Sequence, residues 1–391
     1  MRDHPDLTDF AHTTWDIVVV GAGPAGAMAA RECARLGASV LLVEKSSWPR
    51  YKVCGCCLNL HALASLEEAG LGALVHQAGA QPIHRFEMRA SNRRAIVPLP
   101  GGVALSRGKL DAELVREAES SGAVFVPETT ARLSSGSDAA RAVILKGRNG
   151  FVTITAKIVL AADGLGGRLL KSAQDFQSPP TEDSRIGAGT VLEDAPAAYE
   201  AGTIHMACGV HGYVGLVRIE DGGLDVAAAF DADWVKQCGG LAEAAMAVLA
   251  EAGFEPVPGL LEAAWKGTPP LTRRATTLSA HRFLVLGDAA GYVEPFTGEG
   301  IAWALASGRA IAPIASGSVL DFNEETQLRW ECMYREVITK RQVVCRLISL
   351  GLRRPSLVRT ATAALAAAPA LARPVVNHLN APTTHRKANW I

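Results

Sequence analysis

Asp16-Ile-Val-Val-Val-Gly21-Ala-Gly23-Pro24-Ala25-Gly26 decides the fold: an apolar run leads into glycines spaced GxGxxG, and a helix-like stretch follows from Pro24 to Leu36. Each glycine has its own reason. Gly21 permits the tight turn that ends the strand, Gly23 lets backbone amides approach a pyrophosphate, and Gly26 allows the helix to pack closely on the strand. Pro24 and Ala25 open the helix, whose N-terminal amides and dipole favour a phosphate. A second apolar run, Ser39 to Val43, ends at Glu44, about 20 residues beyond the glycines, where an acid can accept hydrogen bonds from ribose hydroxyls. With Lys45 beside it, Glu44 also fits a solvated strand end, and Lys45 is counted with it as a cofactor-side residue.

Two later segments repeat the strand-then-glycine pattern. Ala156-Lys-Ile-Val-Leu-Ala-Ala-Asp163-Gly164-Leu-Gly-Gly-Arg168 reads as a buried strand running into an Asp-Gly pair with a cation close behind; taken alone the pair is a turn. From Phe283 the chain runs as a short strand into Gly287-Asp288. It then passes through the loop Glu294-Pro295-Phe-Thr-Gly298-Glu299-Gly300 and enters a helix starting near Ile301. Gly298 and Gly300 leave bare backbone in front of that helix, an arrangement able to stabilise negative charge on a flavin ring. Gly287, Pro295, Glu299 and Ile301 count as cofactor-side residues on this reading, with Glu294 and Glu299 shaping the environment of the ring; the plainer alternatives are an ordinary strand-loop-helix connection and one of the two glutamates capping the helix.

The three fingerprints, GxGxxG, DG and GD, stand in this order across most of the chain. So arranged, they resemble the flavoprotein hydroxylase and geranylgeranyl reductase superfamily, of p-hydroxybenzoate hydroxylase architecture. The resemblance implies bound FAD, with Asp163 where the nicotinamide and flavin pyrophosphate regions meet and Asp288 on the ribityl chain. Leu105-Ser-Arg107-Gly-Lys-Leu-Asp-Ala-Glu-Leu114 resembles the family segment whose arginine contacts the cofactor, although Arg107 also suits a solvated helix start. By the same resemblance NAD(P)H would supply the hydride, docking transiently at the surface, which fits the lack of a second dinucleotide fingerprint; a separate reductase or a substrate is the other source of electrons.

Pro49-Arg-Tyr-Lys-Val-Cys54-Gly-Cys56-Cys57-Leu-Asn59 admits four readings. A metal site lacks a second ligand pair at zinc spacing. A Cys54/Cys57 dithiol has CxxC spacing, which can depress a thiol pKa, but lacks the second nucleotide fingerprint of disulfide reductases. A third reading is a buried cysteine acting as a small hydrophobe. The fourth is a resemblance to the geranylgeranyl reductase loop that sets a cysteine beside flavin and substrate, which makes Cys54, with Gly298 and Gly300, the catalytic candidates. Where family reductases have consecutive glycines after that cysteine, this chain has Gly55 and then Cys56-Cys57. Their Tyr-x-Trp-x-Phe-Pro strand is here Tyr213-Val-Gly-Leu-Val-Arg, so Tyr213 is either a substrate-facing residue or a sheet tyrosine. The WxWxIP signature of flavin halogenases has no equivalent. His205 and His211, flanking Cys208, fit no common metal spacing and read as polar strand-edge residues. Trp303 and Trp330, on helices, read as packing.

Composition agrees. The chain has 391 residues, 49% of them hydrophobic, with Lys plus Arg and Asp plus Glu both 39. Such a balance creates no global field for nucleic acid or an acidic membrane. No signal-peptide pattern opens the sequence and no apolar run approaches the ~20 residues that span a bilayer. The expectation is a cytoplasmic protein with eight reduced cysteines, peripheral membrane contact staying open. The expected fold class is α/β: a GxGxxG Rossmann-like FAD-binding domain from 14–82, 100–175 and 272–318, and an inserted antiparallel β-sheet substrate domain from 83–99 and 176–271. A helical C-terminal segment, 319–391, completes it. Within the last, Arg341 to Pro355 reads as a packed lid or a membrane-surface element. The expected function is NAD(P)H-driven reduction of a C=C bond in an apolar isoprenoid or polyketide-like metabolite. The alternatives are monooxygenation of a similar metabolite and, less favoured, a non-catalytic lipid- or partner-binding protein of the same fold, such as Rab GDP-dissociation inhibitors.

Overall fold

The apolar run before the glycines becomes the strand Thr14–Val20, with Ile17, Val18 and Val19 wholly buried. It lies between Gly150–Ala161 and Val40–Val43, parallel to both. Phe283–Val285 extends the sheet beyond the former and Val124–Val126 beyond the latter, again in parallel. Strands covered on both faces carry unbroken rather than alternating apolar residues, which is why all four positions of Val40–Val43 are buried. The computed structural model describes residues 7–381 except 12, 149, 168 and 170–175; Arg168 and the stretch 382–391 therefore lie outside the described residues.

Two helices cover this sheet. Pro24–Arg35 follows the glycine turn, and Gly300–Gly317 crosses it at Gly308, where a Cβ would run into the Ala25 carbonyl oxygen and stand 3.0 Å from the Met28 Cβ. The helix Glu324–Tyr334 then packs behind, its Trp330 fully buried and donating its indole N–H to the Val285 carbonyl at 3.0 Å. Trp330→Ala is expected to cost about 3–5 kcal/mol in denaturant unfolding, because both volume and a hydrogen bond are lost. Trp330→Phe, which keeps most of the ring but orphans the carbonyl, should cost about 1–3 kcal/mol.

The second sheet runs Lys266–Pro270, Ile186–Leu192, Leu224–Phe230, Gly212–Arg218, Thr203–Gly209, Arg85–Ala90, Arg93–Pro98. All neighbours are antiparallel except Thr203–Gly209 with Arg85–Ala90. The helix Leu241–Glu251 covers it, as the spacing from Gly240 to Gly253 suggests. Pro269 and Pro270, which mark a return path in the sequence, in fact end an edge strand, the one sheet position where a residue without an N–H is cheap. A further difference is the meander Thr130–Gly136, Arg141–Gly147, Gly150–Ala161, which leaves the parallel sheet.

The C-terminal part is helical through Lys340–Leu352, Pro355–Ala367 and Arg373–Asn380. Pro355 opens its helix rather than ending one, since the first turn needs no proline N–H.

Candidate active site

A cavity of about 950 Å³ runs from the glycine turn past the cysteine loop to the seven-stranded sheet, at the upper end of small-molecule sites. At its first end Gly21 takes φ +105° and a Cβ there would meet the Asp163 Cα at 2.9 Å. Beside it, the position of a Gly23 Cβ is 3.4 Å from an Arg50 nitrogen and 3.6 Å from an Arg107 nitrogen. Two guanidinium groups therefore flank the bare backbone that faces the cavity. Arg107 is buried and doubly bonded to Asp111, Nε to Oδ1 and the terminal nitrogen to Oδ2, each at 2.9 Å. A solvated helix start is excluded for it. Arg50 bridges Asp111 at 3.2 Å and Glu44 at 3.4 Å.

Glu44 is buried as well, which overturns the solvated strand end. Its Oε2 accepts from the Ala22 N–H at 3.1 Å and its Oε1 from the Ser46 N–H at 3.0 Å. Pro24, Ala25 and Lys45 line the same end, as do Asp163 and Gly164. Asp163 Oδ2 accepts from the Leu169 N–H at 2.8 Å. Gly26 does not line the cavity: its Cβ would collide with the Gly21 carbonyl oxygen, so it fits helix to turn. Gly287 stands likewise one layer back, 2.8 Å from Ala25 Cβ at the position its own Cβ would take. Asp288 reaches the cavity, with Lys52 Nζ at 3.9 Å; burial lowers the Lys52 pKa.

The cysteine loop forms the next wall. Cys54, half-buried, lines the cavity. The Cys56 thiol donates towards the Cys54 carbonyl at 3.7 Å. Cys56, held at φ +52°, is the thiol that interacts with Cys54, whereas Cys57 enters a two-residue strand, Cys57–Leu58, paired with Val103–Ala104. CxxC spacing thus misdirects attention to Cys57. Hydrogen bonding from Cys56, with the Arg107 charge, holds the Cys54 thiol below the usual thiol range against its burial; the hydrogen bond with Cys54 and then burial push Cys56 well up, and burial pushes Cys57 well up. Beneath the loop lies Asp225, paired in register with Val217, which packs on Cys56. Asp225 is buried beside the Cys56 thiol, and burial raises its pKa far above the carboxylate range. Neither Arg50 nor Asp225 is singled out by spacing. Arg50 could have been found as the cation of the loop, but nothing in the run Leu224–Phe230 marks Asp225.

Pro295, Gly298, Gly300 and Ile301 line the same cavity. Gly298 is left-handed at φ +69° with open space around it, and a Cβ on Gly300 would press the Tyr292 ring at 3.2 Å. The helix begins at Gly300, but neither glutamate caps it. Glu299 lies behind the wall, accepting from Trp303 Nε1 at 3.0 Å and from Asn59, with Arg341 at 3.5 Å. Glu294 is buried between Arg185 at 3.2 Å and Arg353 at 3.1 Å. Burial raises the pKa of each carboxyl.

At the far end Tyr213 is both a sheet residue and a wall residue, its ring edge-on to Phe296 at 5.1 Å. Gly215 and Val217, on the same strand, also face the cavity, and the Met206 methyl lies 3.2 Å from where a Gly215 Cβ would be. His205 is no edge residue: it is buried, with Nδ1 3.5 Å from Glu87. His211 stacks on Trp234 with ring centroids 4.5 Å apart. Among the described residues no group of three or more His, Cys, Asp or Glu is placed to hold a metal ion.

The FAD binding domain family model matches residues 14–312. A menaquinone reductase of Mycolicibacterium smegmatis is 26% identical over 97% of this chain and 95% of its own length. A digeranylgeranylglycerophospholipid reductase of Methanosphaerula palustris is 28% identical over 78% of this chain and 76% of its own. Among solved structures, a flavin-dependent brominase superposes with a TM-score of 0.77 at 16% identity, covering 94% of both chains; at that identity the likeness is one of fold.

Proposed function

We propose that this chain, which belongs to the FAD binding domain family and is an FAD-dependent oxidoreductase, reduces a C=C bond of an apolar isoprenoid or polyketide-like metabolite with electrons from NAD(P)H. The observation that carries this reading is the placement of Cys54, which lines one largely apolar cavity together with Gly298, Gly300 and Tyr213. The full-length match to enzymes named as reductases supports it.

The residues fit FAD. Gly23 with Arg50 and Arg107 suits the pyrophosphate, the fixed Glu44 carboxylate suits ribose hydroxyls, and the open backbone at Gly298 suits a ring edge. Bound there, FAD supplies hydride chemistry. Reduction of a double bond also needs a proton at the second carbon, and Cys54 Sγ is the wall atom assigned to deliver it. Tyr213, Phe296 and Val217 hold apolar substrate and exclude water at that end.

The test is the product. Holoenzyme with NADPH or NADH, under anaerobic conditions, is given menaquinone or digeranylgeranylglycerophospholipid, the compounds in the relatives' names. Any quinol is first reoxidised, and a product that keeps two added hydrogens in its isoprenoid chain is then expected by mass spectrometry. Absence of that product, together with incorporation of an isotopically labelled oxygen atom in air, would replace reduction by monooxygenation.

A further inference from the structure

No Asp or Glu occurs in residues 337–391, where Lys and Arg occur nine times, although the whole chain balances at 39 of each sign. The neutral total hides a basic C-terminal segment. Its first helix is built inside out. Lys340–Leu352 buries Gln342, Cys345 and Ser349 with Leu352, while Val343, Leu347 and Leu350 face solvent, the two leucines at 64% and 61% exposure. Leu357, Leu371 and Val375 are further exposed apolar side chains on the following segments. A helix with its apolar side outward requires something apolar to cover it.

Charge says what covers it. Arg354, Arg359 and Arg373 are exposed beside the apolar residues and have no acidic partner among the described residues. Helix Pro355–Ala367 packs on strand Arg93–Pro98, and between them Arg93, Arg359, Ser356 and Thr360 line a notch with two guanidinium groups. Apolar side chains flanked by unpaired cations are the pattern of an element lying in an anionic lipid interface. An acidic protein would satisfy the arginines but leave the leucines in water.

The surface is also the cavity's rim. Leu357, Leu371 and Val375 are exposed and at the same time line the cavity, so its wall continues onto the apolar surface. Arg341 ties this rim to the Gly298–Gly300 end, bonding Glu299 on one side and the carbonyls of His378, Leu379 and Ala381 on the other.

We propose that the C-terminal helices seat on a bilayer carrying anionic phospholipid, with Leu347, Leu350, Leu357, Leu371 and Val375 in the acyl boundary, and that substrate enters the cavity from the lipid. Only the last clause rests on the reduction proposed above. The docking test uses no substrate, so the two can fail separately.

Holoenzyme is floated with vesicles of phosphatidylcholine alone or with one third phosphatidylglycerol. It should rise with the mixed vesicles, at least tenfold more than with the neutral ones, and be released in part as salt screens the arginines. Leu347→Glu with Leu350→Glu should abolish flotation while the flavin spectrum and thermal midpoint stay at wild type, both sites being exposed. Arg354→Gln with Arg359→Gln should erase the preference for anionic vesicles. Wild-type protein that stays unbound with both vesicle types, or a double-glutamate variant that floats as well as wild type, would overturn the proposal.

Discussion

Gly26→Ala should purify without FAD and unfold at clearly lower denaturant than wild type. The added methyl is aimed at the Gly21 carbonyl oxygen and lies 3.1 Å from the Ala162 Cβ. The first obstacle is backbone and cannot rotate away. Either the helix Pro24–Arg35 lifts off the sheet or the Gly21 turn opens, and both displace Gly23 from between Arg50 and Arg107. Overpacking of this kind costs about 1–3 kcal/mol and occasionally more, while displacement of the phosphate turn removes cofactor affinity outright. Gly37→Ala is the control. Gly37, unlike the helical Gly26, is left-handed, at φ +89°, but nothing lies within 4 Å of the position its Cβ would take. It should lose about 1–2 kcal/mol of stability from backbone strain alone and keep stoichiometric flavin. The absorbance ratio of bound flavin to protein, read beside the denaturation midpoint, separates the two; a Gly26→Ala protein with full flavin would mean that the helix does not press the turn as described.

That contrast shows what spacing alone can and cannot convey. The roles of Gly21 and Gly26 are legible because GxGxxG encodes a local geometry, strand, turn and helix within one short stretch. The same holds for Gly298, where an apolar strand and two glycines bracket a loop. Glu44 was ambiguous in sequence because its fate depends on Arg50 and on the Ala22 and Ser46 amides, which are brought to it by folding. Asp225 and His205 carry no such local signal: the cysteine loop covers the first, and Glu87, Tyr199 and Phe254 enclose the second, partners that only folding brings together. The loop sequence leaves open which thiol stands beside Cys54, and the backbone decides it: Cys56 turns back at positive φ and Cys57 continues as strand. Glu299 drew a capping reading from its place before a helix, and tertiary partners Asn59 and Arg341 override it.

The cysteine loop yields the second large effect. In FAD-free protein, Cys54 should react with iodoacetamide with a midpoint near pH 6, because its thiol is lowered to about 6, whereas Cys56 and Cys57 should stay inert through neutral pH. The main cause of the lowering is the hydrogen bond from Cys56, followed after the opposing burial by the charge of Arg107. Cys56→Ala should therefore move the alkylation midpoint upward, and Arg107→Gln should do so by a smaller amount if the fold is kept. Turnover has the opposite sign. A thiol that gives its proton to the substrate works only while protonated, so reduction should be fastest below the midpoint and decline as pH rises through it. Cys54→Ala should then reduce turnover by about 10²–10⁴-fold, the usual weight of a positioned proton donor, and flatten that limb of the profile. In Cys56→Ala the limb should shift to higher pH in step with the alkylation midpoint. A purely packing role predicts something else: Cys54→Ala would keep the wild-type pH profile and lose only stability. Parallel movement of two independent readouts, one chemical and made without cofactor, the other catalytic, is what assigns the proton to the Cys54 sulfur.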